Sequence, residues 1–312
     1  MGHIGVVLNA SSGQGAAVEA ADRLKDVFAT AGRDARITLA EGGAKISSAM
    51  RREVADGCET LIAGGGDGTI NSGAAAVLGH KISLGVLPLG TLNHFAKDLG
   101  IPLDLEEAAR VVLEGVVCKV DVGDVNGRLF LNNSSLGVYP AIVRLRERYQ
   151  ARGRGKWIAA LWASLAVLRR NPFMGVRISA EGETAVRRTP FVFVGNNEYR
   201  MAGLNPGVRE SIARGHLALY VLNAGGRMGL LQLAWGVVLR GAAEVKELDL
   251  ITVEDITVET RRRNLQVALD GEVVTLQSPL RYRVKPAALE VHVPQSASAC
   301  QPHPSGTSSS RS

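Results

Sequence analysis

The first third of the chain alternates short apolar runs with longer segments of helical character. His3–Asn9 has the length and continuity of a buried strand, and Ala10–Gly15 follows as a Gly/Ser turn. Ala16–Ala31 is helical in pattern and stops at Gly32. A strand at Ala35–Ala40, a helix at Lys45–Asp56, a short strand at Thr60–Ala63 entering a triple glycine, and a helix at Thr69–Leu78 continue the alternation. Ile82–Leu87 is a further strand, broken by Pro88, and Leu92–Leu99 is a short helix ending at Gly100. Asp104, with Glu107 three residues later, forms a capping box for a helix over Leu105–Glu114. Strands alternating with helices predict an α/β layer with a mostly parallel sheet.

Near residue 120 the pattern changes. Lys119–Val125, Asn126-Gly127 and Arg128–Asn132 predict a hairpin with an Asn-Gly turn. Val176–Ala180 and Thr189–Val194 flank a polar turn, and Leu217–Leu222, Glu244–Leu250, Ile256–Glu259, Leu265–Leu269 and Val273–Leu276 are strand-like. This half is expected to be a β-sandwich, interrupted by helical inserts near 156–170 and 227–239. The fold class is therefore α/β + β, with an α/β domain over 1–120 and a β-sandwich domain over 121–279. Residues 294–312 are rich in Ser, Pro and Gln, and a disordered tail is expected there.

Composition narrows the partners. The 312 residues suffice for two domains, and the formal charge of +6 favours anionic partners: nucleotide, nucleic acid or an acidic membrane. Nucleic acid is not expected, because an aromatic content of 4% is too low for base-stacking platforms. Cys58, Cys118 and Cys300 have no paired spacing, so neither a disulfide framework nor a zinc site is implied and a reducing compartment fits. The N-terminus lacks the pattern of a signal peptide, and no segment reaches the roughly 20 apolar residues of a membrane span.

Candidate chemistry starts at Gly64-Gly65-Gly66-Asp67-Gly68-Thr69. A strand that ends in glycines and opens a helix gathers backbone N–H groups around one concavity, and glycine lets phosphate approach without a Cβ clash. The segment is neither a Walker loop nor a GxGxxG loop. Asp67 would repel phosphate unless it meets Mg²⁺ or its water shell; alternatively it caps a helix. A second strand-to-helix turn, Pro88–Gly100, repeats the Gly-Thr pair, with Thr91 able to donate to a phosphate and Asn93 able to orient it. Two such turns on neighbouring strand ends form a crevice at the carboxyl edge of the sheet. Asp270-Gly271-Glu272, between two strand-like runs, is by itself a hairpin turn signal.

Asn9-Ala-Ser-Ser-Gly13, GGGDGTIN at 64–71, PLGTLNHFAKDLGIP at 88–102 and Leu269-Asp-Gly-Glu272 occur in this order over roughly residues 3 to 293. The set closely resembles the bacterial diacylglycerol-kinase-like lipid kinases, relatives of sphingosine and ceramide kinases. GGDGT alone is less specific, since NAD kinases and phosphofructokinases carry it too. The resemblance implies an α/β nucleotide domain, a β-sandwich that takes the lipid, and a segment over 280–293 returning to the first domain, with ATP in the cleft. It further implies ATP binding by Asn9, Thr38, Gly65, Gly66, Asp67, Gly68, Thr69, Ile70, Asn71, Thr91 and Asn93. The acidic base would lie in Asp270 and Glu272, with the single acceptor open between them, and Mg²⁺ would travel with ATP and meet Asp67. The implied activity is transfer of the γ-phosphate of ATP to a hydroxyl of a lipid such as diacylglycerol. An NAD-kinase-like activity and a non-catalytic regulator of the same fold stand as alternatives.

Two departures from that family stand out. His94 replaces an Asp common after the Asn of the second turn. Arg214-Gly215-His216-Leu217 stands where relatives read Asp-Gly-x-Leu, and Arg cannot ligate the accessory metal of relatives, although it can supply positive charge in place of the ion. Arg144, Arg146, Arg148, Arg152, Arg154 and Lys156 precede an apolar stretch, Trp157–Leu168, closed by Arg169-Arg170; Met228–Leu239 has similar character. Such stretches suit either core helices or interfacial helices on an anionic membrane. A cytoplasmic protein, peripheral at the inner face of the membrane, is expected.

Overall fold

The computed structural model describes residues 2–11, 16–137, 173–202, 205–209, 211–222, 226 and 248–297. In chain order the elements are β1 Ile4–Asn9, α1 Ala16–Thr30, β2 Ala35–Ala40, α2 Gly43–Ala55, β3 Thr60–Gly65, α3 Asp67–Val77, β4 Ser83–Pro88, α4 His94–Asp98 and α5 Leu105–Glu114. The second half contributes β5 Val116–Val125, β6 Arg128–Phe130, β7 Asn133–Gly137, β8 Met174–Ala180, β9 Glu183–Thr189, β10 Phe191–Asn196, β11 Tyr199–Ala202 and β12 Asn205–Arg209. β13 Leu217–Leu222, β14 Leu248–Val253, β15 Asp255–Thr260, β16 Asn264–Leu269, β17 Glu272–Gln277 and β18 Leu280–Val293 complete the chain.

β2, β1, β3 and β4 lie side by side and parallel, in that order. The continuous apolar runs of β1, β3 and β4 are buried, as a parallel sheet covered by helices requires, whereas β2 at the edge is partly exposed. The helices pack as two pairs, α1 with α5 and α2 with α3. Asp104 caps α5 by accepting from the N–H groups of Glu106 and Glu107, both at 3.0 Å, and these bonds hold its carboxyl below the usual range.

β18 joins the halves. Near its end it lies parallel to β4, with Val291 opposite Leu84, and near its start it lies antiparallel to β15, with Val258 opposite Leu280. β5 runs antiparallel along most of its length, with an irregularity between Lys285 and Leu289. Ala287 sits in that irregularity with φ of 49°, and its N–H donates to the buried Asp121 carboxylate at 2.9 Å. One sheet thus runs from the parallel layer through β18, β15, β8 and β9, and it forms one wall of the sandwich. The other wall is the antiparallel sheet β14-β13-β10-β7-β16-β17. A separate core fills each half.

The Asn126-Gly127 hairpin forms between β5 and β6. The polar turn expected between Val176–Ala180 and Thr189–Val194 instead holds β9, paired with β8 along its length. Its charged residues hid it: β9 is an edge strand, and Arg187 and Arg188 are exposed there without cost. The strand expected at Glu244–Leu250 lies at Leu248–Val253, and β11 and β12 had no counterpart in the pattern. Cys118 is disulfide-bonded, so the cysteine pattern does not argue for a reducing compartment; Cys58 is free, and burial pushes its thiol up to about 11. Pro294–Ala297, expected within the disordered tail, forms a turn whose Gln295 amide donates to the Glu114 carbonyl at 3.0 Å. Residues 298–312 and both expected helical inserts lie outside the described residues.

Leu289, 1% exposed on β18, sits in the first core. Leu289→Ala should cost about 2–5 kcal/mol in urea unfolding. Val186→Ala, at a 68% exposed position on β9, should stay within about 0.5 kcal/mol.

Candidate active site

The site begins where β1, β3 and β4 end side by side. Gly66 precedes α3, and its carbonyl accepts the N–H groups of Thr69 and Ile70 at 2.9 and 3.1 Å. The N–H groups of Asp67 and Gly68 come before any intrahelical partner exists, so they are available to an anion. A Cβ on Gly68 would meet nothing within 4 Å. Glycine there leaves open space at the mouth of the loop, whereas its neighbours need glycine for packing. A Cβ on Gly65 would meet Thr69 Oγ1 at 2.5 Å, and one on Gly90 would overlap the Gly66 backbone.

That overlap shows how closely the two turns stack. The Leu89 N–H donates to the Gly65 carbonyl at 3.1 Å, tying them together. Asp67 Oδ1 accepts from the Phe95 N–H at 3.2 Å, so one carboxylate oxygen caps α4 rather than its own helix. Asn93 adopts a left-handed conformation, φ 50° and ψ 46°, and its side chain closes on its own turn. Its Oδ1 accepts from the Gly90 N–H at 3.0 Å, and its Nδ2 donates to the carbonyls of Pro88 and Gly90 at 3.2 and 2.7 Å. Buried and engaged on all these sides, Asn93 shapes the turn instead of reaching toward a phosphate.

The other residues marked in the sequence divide by position. Asn9 Nδ2 donates to Thr69 Oγ1 at 3.5 Å, linking the end of β1 to the first turn of α3. Thr69 and Ile70 are buried, Ile70 in the first core, so only their backbones face the crevice edge. Asn71 Nδ2 donates to the Leu129 carbonyl at 3.2 Å and brings α3 against β6. Thr91 is exposed at the rim. Thr38 lies opposite Val7 in β2, two residues inside the strand's carboxyl end.

Asp270 lies in the sandwich half of the chain. It sits with Gly271 in the two-residue turn between β16 and β17, at φ values of 47° and 88°, a conformation that suits Asp-Gly. Its Oδ2 accepts from the Leu131 N–H at 2.7 Å, and its Oδ1 accepts from those of Asn132 and Asn133 at 2.8 and 2.9 Å. Burial pushes its pKa up to about 6, although the three N–H donors and Arg209 pull the other way. Glu272 is exposed on the far side of the same turn.

Neither Arg209 nor Asp98 was singled out in the sequence, although Asp98 lies within the Pro88–Pro102 motif. The Arg209 side chain is fully buried; its Nε donates to Asp98 Oδ2 at 2.7 Å and its Nη1 to the Leu131 carbonyl at 2.7 Å. Its guanidinium lies 5.9 Å from the ring of Phe95 and 5.7 Å from that of Tyr199. Arg209 is one charge among many in the chain, and only its burial marks it. Arg214 Nη1 lies 3.3 Å from Glu198 Oε2, so its charge meets a carboxylate there. Among the described residues no group of three or more His, Cys, Asp or Glu side chains could hold a metal ion.

The two turns predict opposite responses to a methyl group. Gly68→Ala should leave the melting temperature within a degree or two and raise the KM for ATP severalfold. Gly90→Ala should lower the melting temperature by several degrees, because the backbones must separate. Thermal melts and initial rates on both variants measure this.

The sequence matches the diacylglycerol kinase catalytic domain over residues 3–125 and the YegS C-terminal NAD kinase beta sandwich-like domain over 135–293. A protein of Pseudomonas aeruginosa named "Probable lipid kinase YegS-like" is 34% identical over 279 residues, 85% of this chain and 86% of its own. A protein of Staphylococcus carnosus named "Diacylglycerol kinase" is 38% identical over 102 residues, 32% of this chain and 33% of its own. A crystal structure described as a "putative diacylglycerol kinase" from Bacillus anthracis str. Sterne superposes with a TM-score of 0.72 at 22% identity, covering 93% of this chain and 97% of that one. At that identity the likeness speaks for the fold. With its two domains matched in order and a relative alike over most of both lengths, the chain belongs to the YegS-like family built on the diacylglycerol kinase catalytic domain.

Proposed function

We propose that this chain is an ATP-dependent lipid kinase that transfers the γ-phosphate of ATP to the hydroxyl of a lipid such as diacylglycerol. One observation carries the reading. A part-buried carboxylate, Asp270, is fixed by three backbone N–H groups, and Arg209, Asp98 and Phe95 link those residues to Asp67 in the glycine turn. Phosphoryl transfer needs an oriented hydroxyl, neutralised phosphate charge and a proton acceptor. The N–H groups of Asp67 and Gly68 and the opening at Gly68 suit the phosphates, with Asn9, Asn71 and Thr91 around them. Asp270, whose pKa is raised toward neutrality, suits the proton acceptor, and Glu272 stands exposed two residues on in the same hairpin.

Mg²⁺ accompanying ATP would be met by Asp67, whose second oxygen remains when the first caps α4, and the ion would supply charge neutralisation on the phosphates. A single protein carboxylate with substrate phosphates is a usual way to hold Mg²⁺. Among the described residues no helix is long and apolar enough to cross a membrane. The enzyme is read as acting peripherally at the cytoplasmic, anionic face of a membrane. Support comes from the basic and apolar stretch at 144–170, which lies outside the described residues.

Incubation with labelled ATP, a total bacterial lipid extract and NAD tests the reading. Labelled lipid is expected, with the product identified by mass spectrometry; labelled NADP without labelled lipid would refute it. The pH profile tests Asp270 itself. A base must be ionised, so kcat should fall on acidification through about pH 6 and hold above it. Stability should move the opposite way. A folded-state pKa above the unfolded value gives stabilisation that is present below about pH 4 and lost as pH rises through about 6. Asp270→Asn should abolish turnover and remove this component of the stability profile.

A further inference from the structure

Contacts run without a break between the carboxylates of Asp67 and Asp270. Asp67 bonds the Phe95 N–H at the start of α4, and Phe95 places its ring against the Arg209 guanidinium. α4 ends at Asp98, which accepts from Arg209 Nε at 2.7 Å. Arg209 then donates from Nη1 to the Leu131 carbonyl at 2.7 Å and from Nη2 to Asn132 Oδ1 at 3.1 Å. Leu131 and Asn132 are two of the three residues whose N–H groups hold Asp270. Each is gripped from both sides: its N–H by Asp270, its carbonyl or side-chain oxygen by Arg209.

We propose that Arg209 is a positioning residue for phosphoryl transfer. It fixes the 131–132 backbone that orients the Asp270 carboxylate, and its pairing with Asp98 ties that orientation to α4 and the glycine loop. This rests on reading Asp270 as the proton acceptor.

Stability alone is a weak reason to keep such a pair. Replacing a buried ion pair with apolar groups is often neutral, whereas the fixed fork of a guanidinium serves several acceptors at once. Here the acceptors are Asp98, the carbonyls of Leu131 and Asn196, and Asn132 Oδ1. A lysine ammonium in the same place could not meet them in one plane. The groups that face Asp270 are Arg209 and Tyr199, with Asp98 beyond the guanidinium and Glu272 exposed across the hairpin.

The test uses Arg209→Lys and Asp98→Asn in the full chain, read by kinetics and by carbon NMR titration of the Asp270 carboxyl. Arg209→Lys loosens the grip and draws the positive charge, which lysine keeps on a shorter side chain, away from Asp270, so the Asp270 titration should rise by about half a unit or more. Asp98→Asn frees the guanidinium charge to act on Asp270, so the titration should fall. In Arg209→Lys, kcat should drop 10-fold or more while the KM for ATP changes less than 2-fold. A merely structural role would lower the melting temperature of both variants without moving the titration in opposite directions. An unmoved Asp270 titration in both folded variants, or a wild-type kcat in Arg209→Lys, overturns the proposal. If the NMR titrations separate but the acid limbs of kcat do not follow, the positioning stands and the reading of Asp270 as base fails.

Discussion

One buried charge pair ties the two halves of this protein together at the site. Arg209 leaves β12 with no exposed side-chain surface and reaches Asp98 at the end of α4. An uncompensated charge there would cost several kcal/mol, so α4, β12 and residues 131–132 must come together for either half to be satisfied. β18 and β5 make the hydrogen-bonded bridge between the halves, and the Arg209 fork, beside the rings of Phe95 and Tyr199, adds a second link between them.

A second constraint is close approach. The turns after β3 and β4 come near enough that Gly90 and Gly66 meet backbone to backbone. Side chains that would bind ligand in a looser loop are then spent on the loop itself: Asn93 staples its own turn and Asp67 caps α4. What remains for an anion is mainly backbone N–H, a short-range and strongly oriented donor set.

The neighbourhood of Arg214 shows the same economy in the sandwich. Asp121 is buried and accepts from Asn197 Nδ2 at 3.0 Å, from the Gly215 N–H at 2.6 Å and from the Ala287 N–H at 2.9 Å. Arg214 meets Glu198 alongside it. Both carboxylates thus have protein partners of their own, and Arg214 supplies positive charge beside Glu198.

Much of the architecture was legible in the chain itself. The parallel strands announce themselves because both faces are buried, which forces continuous apolar runs such as Ile4–Asn9 and Ser83–Pro88. The Asn126-Gly127 and Asp270-Gly271 turns are legible because left-handed backbone selects those residues. β9 was not, since an edge strand with exposed arginines carries no apolar alternation. Within the site, the sequence identified the glycine turns and the Asp-Gly-Glu segment, because backbone geometry and local spacing dictate them. Tertiary structure alone decided what each side chain does there: that Asn93 turns inward, that Asp67 caps a helix 28 residues away, and that Arg209 grips the backbone that holds Asp270. Those outcomes depend on contacts between residues far apart in the chain, and no local pattern of polar and apolar positions encodes them.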